Sequence, residues 1–131
     1  MDKKDYIFAF NNHFIEFLED IKRVFPDDNE IKSTILLLKN IKNINPSLIL
    51  KVFNKSVKIP YETQIMENNL SYFLEKDYSS DIKFEKNESS AILAKISEIK
   101  LKIILMDEAE KKKIAKYLQN LCKLTELYNI N

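Results

Sequence analysis

The residues with the most chemistry per position lie in FLEKDYSSDI, residues 73 to 82. Glu75, Asp77 and Asp81 are three carboxylates within seven positions, a set of oxygen ligands a hard cation could use. Tyr78, Ser79 and Ser80 are hydroxyls that could carry a phosphate beside a lysine-rich part of the chain. The simplest reading is structural. Asp77, Ser79 and Ser80 are turn-formers whose side chains satisfy backbone groups after a helix ends. On any of these readings Asp77, Tyr78, Ser79, Ser80 and Asp81 form one candidate contact or modification loop.

A second group is a run of lysines. Residues 31 to 60 hold six lysines and no acid, a local charge of +6. The flanking stretches 1 to 30 and 61 to 90 each carry −4, and 91 to 131 carries +3, which leaves the chain at +1. Lys51, Lys55 and Lys58 recur at i, i+4 and i+7, one stripe on a helix that could neutralise a row of phosphates. With Lys32 and Lys39 they are the candidate contacts for an anion or a nucleic acid. The rival expectation is internal, the lysines being met by the acidic stretches on either side. With one arginine against twenty lysines, bidentate reading of guanine is disfavoured. Binding of nucleic acid would be weak, backbone-directed and independent of sequence.

Other chemistries are harder to build. One histidine, His13, and one cysteine, Cys122, fall short of the four ligands of a structural zinc site. Cys122 sits among Leu121, Leu124 and Thr125 and reads as a buried thiol. His13 borders an apolar stripe and reads as a packed boundary residue. The chain has no glycine, where about nine would be ordinary. That removes the phosphate-cradling loops of nucleotide-binding enzymes and disfavours tight hairpins. No catalytic residue, cofactor or small-molecule substrate is expected, and an enzyme is the least favoured class.

The elements that position these residues are helical. Ile7, Phe10, Phe14, Phe17, Ile21 and Val24 repeat at 3-4-3-4-3 over residues 4 to 25, and Phe8, Ile15, Leu18 and Phe25 widen the stripe. Pro26 ends that helix. A capping-box-like Asp27 and Glu30 open the next, which runs to about Lys42 and is apolar around much of its circumference, so a central place is expected. Pro46 starts a third helix to about 58, with Lys51, Asn54, Lys55 and Lys58 facing away from the core. Pro60 interrupts it, and a short helix follows to about 67, closed by Asn68 and Asn69. Residues 70 to 76 make one or two further turns.

The polar stretch at about 77 to 90 reads as a loop, after which Ser89 or Ser90 caps a helix from about 91 to 105. Ile99, Leu101, Ile103 and Leu105 alternate as a strand would, but the 3.6 period entering from Ile92 and Ile96 favours helix. Asp107 and Glu110 open a last helix to about Tyr128. Lys111, Lys112 and Lys113 oppose the dipole of its first turns.

The expectation is one all-α domain over 1 to 131, an irregular bundle of five or six helices. The first, second and last helices should supply most of the core. No apolar run approaches the ~18 residues of a membrane span. The start shows no signal peptide, and a lone cysteine suits a reducing, intracellular setting.

The segments FLEDIKRVFPDDNEIK (17 to 32), NPSLILK (45 to 51), PYETQI (60 to 65), FLEKDYSSD (73 to 81) and YLQNLCKLTELY (117 to 128) resemble a group of short uncharacterised proteins of giant nucleocytoplasmic DNA viruses. The resemblance implies a viral protein of the infected-cell cytoplasm or virion, and no assigned activity. With six tyrosines and eight phenylalanines, residues common at interfaces, the chain reads first as a non-enzymatic protein that binds another protein or itself. Nucleic-acid binding through the 31 to 60 lysines is the alternative.

Overall fold

The computed structural model describes residues 2–75 and 88–131. Every described element is helical: α1 (Lys3–Val24), α2 (Asn29–Ile44), α3 (Leu48–Phe53), a π turn (Asn54–Lys58), α4 (Ile59–Met66), α5 (Leu70–Glu75), α6 (Glu88–Ile104) and α7 (Glu108–Ile130). Because α3, the π turn and α4 are continuous, these make six helical rods, the expected irregular all-α bundle. Residues 99–104 are helical, so the alternating pattern there is not a strand.

Helix ends follow local chemistry. The Asp2 and Asp5 side chains each accept the other's backbone N–H, a capping box on α1 that the sequence reading missed. Asp28, not Asp27, caps α2 by accepting the Ile31 N–H at 3.1 Å. Asp107 caps α7 as expected, taking the Glu110 N–H at 2.8 Å. Asn68 takes the left-handed conformation after α4, φ 62°, the role asparagine fills in a chain without glycine. The start of α6 departs from expectation. Ser89 and Ser90 lie inside it rather than capping it.

Pro60 does not interrupt its helix. It lacks an N–H, and in an α-helix its ring would crowd the carbonyl four residues back. The preceding turn widens instead, with the Ile59 N–H bonding Asn54 O, five residues back. A π turn rotates less per residue than an α turn. The buried apolar residues from Phe53 therefore recur every fourth position, Phe53, Val57, Tyr61 and Ile65.

One apolar cluster joins all the rods. Phe10 and Phe14 of α1 meet Phe53 edge-on, and Phe17, Leu18 and Ile21 join them in the cluster that holds Leu118 and Leu121 of α7. The expectation that α1, α2 and α7 dominate underrates the middle of the chain. The rod from Leu48 to Met66 buries Ile49, Leu50, Val52, Phe53, Val57, Tyr61 and Ile65. Each such burial stabilises by about 1.5–3 kcal/mol before entropy is counted. α2 is not central either, since Leu36 on its outer face is exposed. Nor does Phe8 widen the α1 stripe; it points outward. No described helix is long and apolar enough to cross a membrane.

Candidate functional site

The five candidate lysines do not share one environment. Lys32, Lys51 and Lys55 are exposed. Lys39 lies 3.8 Å from Glu19 of α1. Lys58 is turned inward, its side chain 9% exposed, with Nζ 2.8 Å from Glu126 of α7 and 3.2 Å from Glu62. The expected stripe of Lys51, Lys55 and Lys58 therefore loses its last member. The π turn supplies the reason, because under-rotation brings position 58 toward α7 instead of back under Lys51.

Lys58 is the centre of a polar node. Burial is the strongest single influence on its ammonium and acts to lower its pKa. Hydrogen bonds to Glu126 and Glu62 together outweigh that and leave it raised. Beside it, Asn129 Nδ2 donates to Asn54 Oδ1 at 3.1 Å, tying the end of α7 to the π turn. Cys122 is fully buried, and desolvation pushes its thiol up to about 12. A thiol so placed is protonated and inert at neutral pH.

His13 packs its ring on Tyr117 with centroids 5.0 Å apart, and its Nδ1 is 3.6 Å from Glu16. Burial, then Asp20 and Glu16, raise the Tyr117 hydroxyl. Arg23 holds Asp20 at 3.0 Å and Glu110 at 2.7 Å, locking α1 to the start of α7. Lys102 bonds Asp28 at 2.6 Å and so clamps α6 to the cap of α2. That hydrogen bond lowers the pKa of Asp28 and raises that of Lys102. Among the described residues no group of three or more His, Cys, Asp or Glu is placed to hold a metal.

From the 73 to 82 segment, Phe73 and Leu74 are buried in α5 and Glu75 is exposed at its end. Phe73 receives the ammonium of Lys100, 4.8 Å from its ring centre, and Lys100 is itself only 3% exposed. Asp77, Tyr78, Ser79, Ser80 and Asp81 lie outside the described residues.

Three surfaces were not expected. At the end of α6, Leu101, Ile104 and Leu105 are 64, 45 and 73% exposed at i, i+3 and i+4, one apolar ridge. Its signal was in the sequence. Apolar residues at 99, 101, 103, 104 and 105 are more than one buried helix face can absorb. Second, an opening of about 700 Å³ between α5 and α7 is lined by Lys111, Lys112 and Lys116 over Leu70 and Leu74. Third, a groove of about 530 Å³ lies where α1 meets the end of α2, with Lys4, Phe8 and Lys42 on its walls. Compared with known proteins, the chain matches no family, no curated protein and no solved structure.

Proposed function

We propose that this is a non-enzymatic interaction protein whose docking surface is the ridge at the end of α6, with a second copy of the chain as its occupant. The observation that carries the reading is the exposure of Leu101, Ile104 and Leu105 together on one face. The opposite face of the same helix already fills the core with Ile92, Ile96, Ile99 and Ile103. An apolar ridge is self-complementary about a two-fold axis. A net charge of +1 puts little repulsion between copies. Three side chains cover less than the ~800 Å² per partner of a stable interface, so the association is weak or transient. The viral setting implied by the resemblance suits a small assembly factor in infected-cell cytoplasm or the virion.

The backbone-directed nucleic-acid reading has less support on the residues first assigned to it. Of Lys32, Lys39, Lys51, Lys55 and Lys58, the last is consumed by two carboxylates and Lys39 stands near a third. The test of the leading reading is sedimentation of the whole chain across a wide concentration range. The weight-average mass should rise with concentration, and Leu101→Glu with Leu105→Glu should hold it at the monomer mass. Both side chains are exposed, so the variant folds. A wild-type chain that stays monomeric at every concentration sinks self-association.

A further inference from the structure

We infer that the groove between α1 and the end of α2 binds a short single-stranded segment of nucleic acid. This goes beyond the α6 ridge and rests on different residues. Lys4 and Lys42 face the groove from its two helices, no acid lines it, and neither lysine has a carboxylate partner among the described residues. Asp2 and Asp5, the acids nearest in sequence, are held at the start of α1 by their mutual capping bonds of 3.0 and 3.2 Å. Phe8 stands in the wall 70% exposed and has no ring partner among the described residues.

Neutral hydrogen-bonding groups complete the lining. Asn12 and Asn43 border the groove, and Asn11, 3% exposed, also lines it. Asn11 Nδ2 donates to Pro46 O at 2.8 Å, which fixes the amide, while its Oδ1, buried beneath the groove floor, has no partner among the described residues. The groove therefore combines two cations, an open aromatic face and several amides. A single strand uses all three: phosphates meet the lysines, a base stacks on Phe8, and a base edge meets the amides. A duplex keeps its bases stacked and leaves Phe8 without a role. An acidic aliphatic peptide would engage the lysines and bond the amides through its backbone, but it brings no ring to stack on Phe8.

The experiment is fluorescence anisotropy of short labelled DNA and RNA oligonucleotides, single-stranded and duplex, with the full chain. Two phosphate contacts on a single strand predict a slope of about −1.4 in log affinity against log salt, or roughly sevenfold weaker binding at about 200 than at about 50 mM. Phe8→Ala should weaken binding between about 5-fold and 150-fold, the range for losing one stacked base. Lys4→Glu with Lys42→Glu should flatten the salt slope. Lys51→Glu with Lys55→Glu, outside the groove, should change neither affinity nor slope. Circular dichroism should confirm that each variant is folded. No binding at about 100 µM protein and low salt overturns the inference. So does wild-type affinity in Phe8→Ala, equal affinity for duplex, or an oligo-glutamate peptide that displaces the strand at lower concentration than unlabelled oligonucleotide.

Discussion

Lys42 and Lys58 come from the same acid-free stretch, yet the fold gives them opposite fates. Lys58 is enclosed by the π turn and the face of α7, between Glu62 and Glu126. Lys42, one rod earlier, opens on a groove that no carboxylate lines among the described residues. The difference teaches that a local charge excess does not itself report a binding surface. Glu126 neutralises Lys58 from half a chain away, and no window along the sequence contains both. A lysine free for a partner is one that the returning helices leave alone.

The most severe way to break this comparison is to reverse each charge. Lys58→Glu sets a third carboxylate beside Glu62 and Glu126 in a nearly closed site, a loss of about 3 kcal/mol or more in urea unfolding. Lys42→Glu, in the last turn of α2 where the dipole favours a cation, should cost about 1 kcal/mol or less. Cys122 gives an independent readout. Its thiol, raised to about 12 by burial, should resist alkylation at neutral pH in the wild type and in Lys42→Glu. In Lys58→Glu it should react readily as the contact between α7 and the π turn opens. Equal stability of the two variants would show that enclosure of Lys58 contributes nothing.

A milder cut removes one arm of the node. Glu126→Gln should cost about 1–2 kcal/mol, less than a fully buried pair, because Glu126 is half exposed and Glu62 remains. The raised pKa of Lys58 has a definite sign for stability. Its contribution is fully present below the unfolded value of 10.5 and is lost as pH rises through the higher folded value. Alkaline destabilisation should therefore be shallower in Glu126→Gln than in the wild type.

The smallest effect belongs to Lys102, a lysine clamped but not enclosed. Asp28→Asn keeps a good helix cap and removes only the ion pair. It should cost less than Asp28→Ala, which also loses a cap worth about 1 kcal/mol. The pKa of Asp28 is lowered from 3.8, so its contribution is present above that value and lost as pH falls through the lower folded value. The wild type and Asp28→Asn should converge in strong acid and separate as pH rises above about 4. A constant difference across that window would assign the effect to the cap.

Helix identity was legible because it depends on near neighbours. The 4-3-4 stripe from Phe10 to Ile21, Asp107 before α7, and Asn68 standing in for an absent glycine are all interactions within a turn or two. Legibility failed where an outcome depends on what returns from far away. Phe8 and Leu36 have the same apolar character as Phe10 and Leu38, but no described helix packs over them. Pro60 looked like a break because the i−4 clash is local. That a π turn absorbs it, and so delivers Lys58 to Glu126, follows from the packing of the rod against α7.

The sequence by itself determined an all-helical chain with one cysteine, one histidine and no glycine loop, because composition and periodicity act at short range. Tertiary structure alone decided which lysines are spent within the fold, which apolar side chains form the α6 ridge, and that Phe8 shares one groove with Lys4 and Lys42. The physical reason is that burial and pairing depend on distance in space, and a helical bundle sets those distances between residues remote in the chain.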